Sequence, residues 1–367
     1  MDYTSPTPMG ATEVNAIKYY DYDSSVTEDY RDFSNPCDKS FVRDFRKYYE
    51  PPLYVIITFL GVLGNALVIW IYAFYRTRVK TMTDVYLLNL AVADLLLLLT
   101  LPFWAADAIG GWTFGPVLCK INSACYKINF FSSMLLLTCI SVDRYYVIVQ
   151  TTKAQNSKKK RLLCSKLVCV IVWSLAVVLS LPEFIFATTK DSEDSTWQFC
   201  TMVYHNNQNN RTKIMVLALQ ILMGFCLPLA VMFFCYACII HTLLKTRNFE
   251  KHKALRVILA VVAVFVLSQL PYNAMLMVEA SQAANVTITD CHVSLSFDIA
   301  TQAMKGLAYT HCCLNPFLYV FIGVRFRRDL LKILHHYGFV SPSGKLGKTP
   351  FRSSVMSDTD TTQALSL

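Results

Sequence analysis

Residues 53–74 read LYVIITFLGVLGNALVIWIYAF, 22 positions without one charged side chain. An α-helix rising 1.5 Å per residue crosses the roughly 30 Å hydrocarbon core of a bilayer in about that length. Comparable apolar runs recur at about 85–109, 117–149, 163–186, 213–241, 254–279 and 296–323, giving seven expected spans. The third and fifth exceed what the core needs, so they are expected to tilt or to project into solvent. Pro102, Pro182, Pro228, Pro271 and Pro316 interrupt spans 2, 4, 5, 6 and 7. Membrane helices tolerate this because neighbouring groups re-satisfy the freed carbonyls. Composition agrees: of 367 residues, 54% are hydrophobic and 16% charged, against roughly 45–50% and 25% in soluble domains. A disordered chain is excluded by the hydrophobicity, and a membrane barrel by the lack of strict alternation. The expected fold is an all-α membrane bundle of seven helices.

Basic residues orient it. The segments after spans 1, 3, 5 and 7 carry Arg76, Arg78 and Lys80; Lys153, Lys158, Lys159, Lys160 and Arg161; Lys245, Arg247, Lys251, Lys253 and Arg256; and Arg325, Arg327, Arg328 and Lys332. All four lie on one side, which is therefore the cytoplasmic one. Residues 1–36 hold seven acids and two bases, as an extracellular tail would. The formal charge of +9 is explained by this topology and is no evidence for a nucleic-acid partner. No cleavable signal peptide is visible within residues 1–50, so the first span is expected to direct insertion. The organisation expected is an acidic tail at 1–50, the bundle at 51–324, a short amphipathic helix at 325–337 and a Ser/Thr-rich cytoplasmic tail at 338–367.

Four of the 13 cysteines, Cys37, Cys119, Cys200 and Cys291, fall at expected extracellular positions. An even number on the oxidising side suggests two disulfides, with three pairings open. Cysteines within spans, such as Cys139, Cys169 and Cys235, read as small packing residues. Sequons at Asn210 and Asn285 fall in loops placed outside, consistent with glycosylation there.

The polar residues inside the spans carry the functional reading. Asp94 ends the run LLNLAVAD deep in span 2, where a carboxylate must be paired, protonated or ion-bound. Asp143-Arg144-Tyr145 stands at the inner end of span 3, and span 7 closes with Asn315-Pro316-Phe317-Leu318-Tyr319. Gly64-Asn65 lies in span 1, Trp173 in span 4, Pro228 and Tyr236 in span 5, and Pro271 in span 6. Singly these are proline kinks, capping charges and buried aromatics. In this order they resemble the rhodopsin-like G-protein-coupled receptors along the whole membrane domain.

Further features resemble the chemokine-receptor family within that group: Thr100-Leu101-Pro102 with Phe103-Trp104, Trp112-Thr113-Phe114-Gly115, and the run CISVDRY at 139–145. The stretches EKHKALR at 250–256, CTMVY at 200–204, FRRDL at 326–330 and the terminal ALSL narrow the resemblance to one C-C subtype. The family resemblance implies the pairings Cys119–Cys200 and Cys37–Cys291. It implies as ligand a C-C chemokine, by the subtype the thymus-expressed one, and as cytoplasmic partner a heterotrimeric G protein of the inhibitory class, leading to calcium mobilisation and chemotaxis. It also implies a sodium ion held by Asp94 with Asn65, Ser133 and Asn315.

A chemokine is small and basic, so an acidic tail would speed encounter. Tyr19, Tyr20, Tyr22 and Tyr30 lie among acids in settings that resemble tyrosine-sulfation sites. Trp104, Asp107, Tyr126, Tyr272, Glu279, Lys305 and Tyr309 are the expected walls of the ligand cavity. Asp143, Arg144, Tyr145, Tyr236, Asn315, Pro316 and Tyr319 are expected to couple the bundle to the G protein, with span 6 swinging about Pro271. Ser341, Ser343, Ser353, Ser354, Ser357, Thr359, Thr361, Thr362 and Ser366 read as sites for receptor kinases and arrestin recruitment.

Three positions depart from the family pattern. Val147 follows Asp-Arg-Tyr where many relatives have Ala. Gln269 stands two residues before Pro271, where many have Trp. Lys305 stands eleven residues before Pro316, where many chemokine receptors have Glu. Its stem either snorkels to the lipid interface or faces the cavity, with Asp298, Glu279 or Asp107 as available partners. No enzyme is expected: no glycine-rich phosphate loop occurs, and His241, His311, His335 and His336 show no metal-ligand spacing with a carboxylate or cysteine. A transporter or channel would show an internal repeat and more mid-membrane charge. A nearer rival is a scavenging chemokine receptor acting through arrestin alone.

Overall fold

The computed structural model describes residues 38–75, 81–150, 158–192, 197–204, 210–245, 249–284, 290–322 and 324–336. The chain divides between Asp38 and Lys39 into two units, and the elements all lie in the second.

The elements are α1 (Ser40–Ile69), α2 (Met82–Leu98), α3 (Leu101–Gly110), α4 (Gly115–Val149), α5 (Lys158–Leu179), α6 (Leu181–Phe186), β1 (Ala187–Asp191), β2 (Gln198–Met202), α7 (Arg211–Ile221), α8 (Leu227–Lys245), α9 (Phe249–Ala284), α10 (Cys291–Tyr309), α11 (His311–Ile322) and α12 (Val324–His336). Span 1 is α1 with a π-helical turn at Trp70–Tyr75. Spans 2 and 4 are the pairs α2–α3 and α5–α6. Spans 3 and 6 are the single helices α4 and α9. Span 5 is α7 and α8 joined through a π-helical turn at Leu222–Cys226, and span 7 is the pair α10–α11. Span 1 packs on spans 2 and 7, span 3 on 2, 4 and 5, and span 6 on 5 and 7, which closes the ring.

Among the described residues, six helical stretches are long and apolar enough to cross a membrane. The seventh span is divided at Thr310, and its first part carries Asp298, Lys305 and several hydroxyl side chains. Overlong helices are commoner than the sequence suggested. Besides the 35-residue spans 3 and 5, α9 has 36 residues and span 1 covers 34. The helix of span 1 therefore begins at Ser40, within the stretch read as tail. It continues through Pro51 and Pro52. These withhold bonds from the carbonyls of Lys47 and Tyr48, two exposed residues, so the loss falls where water can replace it.

Proline placement explains the other breaks. Pro102 and Pro182 stand in the first turns of α3 and α6, where a missing N–H costs nothing. Gly111, at φ 78°, ends α3, and a Cβ there would approach the Gln198 carbonyl to 2.8 Å. Thr81 and Asp84 form a reciprocal capping box at the start of α2.

Two apolar clusters fill the bundle. One, toward the end bearing Arg144, includes Tyr72, Leu90, Phe130, Met134, Tyr236 and Phe265. The other includes Tyr54, Leu98, Trp104, Trp112, Tyr126, Tyr272 and Tyr309. Over the latter end lies a hairpin that the sequence did not lead us to expect. β1 and β2 pair antiparallel with Thr189 opposite Cys200. The Cys119–Cys200 disulfide, Cα–Cα 5.6 Å, fastens it to span 3, and Trp112 N–H donates to the Gln198 carbonyl at 2.7 Å. Cys291 is also disulfide-bonded; its expected partner Cys37 lies outside the described residues. At the opposite end, α12 buries Phe326 and Ile333 and exposes Arg327, Arg328 and Lys332, with Phe326 against Tyr72 at 6.2 Å between centroids.

Candidate functional site

At the Arg144 end, three elements, α2, α4 and α5, fix two charges. Arg144 donates to Asp143 Oδ2 at 3.2 Å and to the Thr83 hydroxyl of α2. Arg161 of α5 donates to Asp143 Oδ1 at 3.1 Å. Asp143 and Arg144 are both buried, so each needs this partner to offset desolvation. Next to them, the Ser141 hydroxyl donates to Tyr236 OH at 3.0 Å, joining span 3 to span 5. Tyr145 packs its ring near Phe234 at 6.1 Å.

In mid-bundle, Asp94 is fully buried. Asn315 Nδ2 donates to its Oδ2 at 2.9 Å, and Asn129 Nδ2 to its Oδ1 at 3.3 Å. Asn65 Nδ2 donates to the carbonyls of Gly61 and Cys312 at 2.9 and 2.8 Å. Asn65 thus holds the start of α11 rather than Asp94 itself. The Ser133 hydroxyl and the amide oxygens of Asn65 and Asn315 are buried with no hydrogen-bond partner. His311 Nε2 lies 3.7 Å from Asp94 Oδ1 and 3.2 Å from Cys312 Sγ. The sequence showed no metal-ligand spacing between His311 and a carboxylate or cysteine, yet the fold brings Asp94 and Cys312 to it. The divided seventh span brings His311 and Cys312, consecutive at the start of α11, to the same carboxylate, which spacing in sequence did not reveal. Pro316 of α11 rests on Gly64, where a Cβ would come within 2.8 Å of the proline ring.

At the hairpin end, aromatic rings and charges gather. Tyr126 stacks edge-on to Tyr309 at 5.2 Å and Tyr272 at 6.4 Å. Lys305 Nζ stands 4.8 Å from the Trp104 ring centroid and 5.9 Å from that of Tyr309. It points into the bundle and does not snorkel. None of the three acids offered as its partner makes that pair. Asp107 takes Arg46 at 2.8 Å, Glu279 takes Lys213 at 2.9 Å, and Asp298 takes Lys39 at 2.8 Å. Arg46 also bonds Glu50 at 2.8 Å. Lys127 lies 3.5 Å from Glu183 and donates to Gln220.

The sequence matches the family model of the 7 transmembrane receptor (rhodopsin family) over residues 64–319. The subtype that its distinctive stretches resemble is C-C chemokine receptor type 9. The Homo sapiens protein of that name is 47% identical over 340 residues, 93% of this chain and 91% of the relative. Homo sapiens C-C chemokine receptor type 7 is 46% identical over 317 residues, 86% of this chain and 83% of the relative. The chain is a rhodopsin-like chemokine receptor. Homo sapiens atypical chemokine receptor 4 is 40% identical over 331 residues, 89% of this chain and 92% of the relative. This chemokine receptor is accordingly a multi-pass protein of the plasma membrane, and the family is one of receptors, not enzymes.

In the chemokine receptor, Trp104, Asp107, Tyr126, Tyr272, Lys305 and Tyr309 gather at the hairpin end, with Glu279 beside Lys213 on their rim. Pro271 lies inside α9 and Asn315-Pro316 inside α11. Tyr319 is in α11, but its side chain is not among those described. Tyr19, Tyr20, Tyr22, Tyr30, Asn285 and the Ser/Thr tail lie outside the described residues. Asn210 precedes α7 in a left-handed conformation, φ 49°, and donates to the Ala283 carbonyl at 3.3 Å. Residues that the sequence did not single out for these sites are Arg46, Glu50, Thr83, Asn129, Arg161, Glu183, His311 and Cys312. Asn129 had a signal: it stands one helical turn before Ser133 on the face of span 3 turned to Asp94.

Proposed function

We propose that this receptor binds a C-C chemokine at the hairpin end and couples it to a heterotrimeric G protein of the inhibitory class, with calcium mobilisation and chemotaxis as outputs. By subtype resemblance the ligand is the thymus-expressed chemokine. The tail, its tyrosines sulfated, captures the basic ligand, and the ligand's leading segment enters among Trp104, Asp107, Tyr126, Tyr272 and Lys305. Receptor kinases and arrestin act on the Ser/Thr tail, glycans sit on Asn210 and Asn285, and lipid surrounds the spans. A sodium ion occupies the cluster of Asp94, Asn65, Ser133 and Asn315; its hard oxygen donors suit a hard cation.

One observation carries the coupling reading. Arg144 is held by Asp143 and Thr83, a clamp whose release presents a guanidinium to a partner. A two-state receptor needs such a group, made available in one arrangement only. The experiment is a panel of purified chemokines assayed for calcium flux and arrestin recruitment in cells expressing the chain, with Arg144→Ala alongside. Agonist-driven calcium flux abolished by Arg144→Ala, with ligand affinity kept, supports the reading; a full response in that variant overturns it. The 40% identity to atypical chemokine receptor 4 favours a second reading, scavenging through arrestin alone. Internalisation of ligand without any G-protein response in the wild type would select it.

A further inference from the structure

The surroundings of Asp94 contain more than the oxygen donors a sodium ion needs. His311 Nδ1 is 2.6 Å from the carbonyl oxygen of Ala308. A carbonyl only accepts, so Nδ1 carries the proton and Nε2 presents its lone pair. That lone pair faces Asp94 Oδ1 at 3.7 Å and Cys312 Sγ at 3.2 Å. The first distance is too long for a hydrogen bond; across the second the Cys312 thiol donates to Nε2, so a single thiol proton is all the positive charge that stands between these three donors, in the place a cation would take. The three donor atoms lie within 4.8 Å of one another, and all three residues are buried. Tetrahedral Zn²⁺ with ligands at 2.0–2.3 Å has ligand–ligand edges of about 3.3–3.7 Å. Two of the three edges are already near this length.

We propose that Asp94, His311 and Cys312 form a binding site for a thiophilic divalent cation, Zn²⁺ by its chemistry. Imidazole and thiolate select such an ion over the alkali and alkaline-earth cations. The ion's charge is balanced by one carboxylate and one thiolate, so the loaded site carries no net charge into the bundle. Binding releases the Cys312 thiol proton to solvent. The outer partners are in place: Ala308 holds the His311 ring by its other nitrogen, and Asn315 holds the second oxygen of Asp94 at 2.9 Å. Ligand residues in metal sites are oriented in this way. Asn129 Oδ1, 4.0 Å from Cys312 Sγ, or a water completes the fourth position.

The test uses the purified full-length receptor in lipid nanodiscs, stripped with chelator and titrated with Co²⁺ and Zn²⁺. The expected result is a thiolate-to-cobalt charge-transfer band, displaced by Zn²⁺, that is lost in Cys312→Ser and kept in Cys313→Ser. His311→Asn should weaken cobalt binding by at least about tenfold. Zinc-edge X-ray absorption of the wild type needs no variant to fold. It should show one sulfur at about 2.3 Å and a light shell at about 2.0–2.1 Å. The absence of a thiolate band in the wild type, a band surviving Cys312→Ser, or a zinc shell of light atoms only would each overturn the proposal. The sodium reading, which uses neither the imidazole nor the thiolate, would stand after any of these.

Discussion

Gln269 Nε2 donates to the carbonyl oxygen of Ala308 at 3.1 Å, tying span 6 to the point where span 7 divides. The same carbonyl receives His311 Nδ1, so one backbone oxygen joins the glutamine, the histidine and, through it, the Asp94 cluster. Where many rhodopsin-like receptors place an indole two residues before the proline, this receptor places a buried amide that reports on span 7 directly. Gln269→Leu removes this link and should cost about 1–3 kcal/mol. The bond belongs to an arrangement in which Arg144 is held, so its loss should raise ligand-independent signalling. Basal G-protein activation, measured at matched surface expression, checks this.

The Thr83 hydroxyl accepts a hydrogen bond from Arg144. Thr83→Val keeps the shape and removes the acceptor. A hydrogen bond to a charged group is worth about 1.5–3 kcal/mol, so the equilibrium should move toward the released arrangement by roughly tenfold or more. Basal activity should rise in Thr83→Val and be absent in the double variant Thr83→Val/Arg144→Ala. Equal basal activity in Thr83→Val and wild type would count against the clamp.

Lys305 rests on Trp104, a contact of about 0.5–2 kcal/mol. Lys305→Glu places a carboxylate against the negative ring face, near Asp107 and Glu50. It should alter activation potency more than overall chemokine affinity, and shift preference toward ligands with basic leading segments. Dose–response curves with charge-altered chemokine N-termini read this out. Trp104→Leu and Lys305→Met should be non-additive in a double-mutant cycle, because they remove one contact.

Asp94→Asn should abolish the effect of sodium on agonist affinity. Radioligand competition across a sodium series, with potassium held as counter-salt, measures it. The same response in variant and wild type would remove the ion from the cluster.

Gly64→Val should destabilise the receptor by about 1–3 kcal/mol by forcing a side chain into Pro316. Thermal denaturation in detergent, followed by ligand binding, is the assay. Ala at this position should cost less than Val.

The spans were legible because an uncharged apolar run of membrane length suits a bilayer and little else. Asp143-Arg144 was legible because adjacency in sequence guarantees adjacency in space. Partner choice was not legible. Long cations such as Lys39, Arg46 and Lys213 select among several acids by geometry, and they took all three that sequence position offered to Lys305. The start of span 1 was hidden because Pro51-Pro52 reads as a boundary, although exposed carbonyls let the helix run through it. The meeting of His311, Cys312 and Asp94 was hidden for another reason. It depends on the break at Thr310, where no proline or glycine marks the division.

The unbroken helix from Ser40 to Ile69 has a mechanical consequence. At 1.5 Å per residue it is a stiff arm about 45 Å long. Near one end Arg46 is bolted to Asp107 of span 2, and farther along Gly64 bears on Pro316 of span 7. Because span 1 is also packed on spans 2 and 7 between these points, it forms one stiff body with them, and the Arg46–Asp107 pair and the Gly64–Pro316 contact lie on the same rod. A displacement at the Arg46 end of span 1 is in this way felt at Pro316 without passing through the aromatic cluster between them.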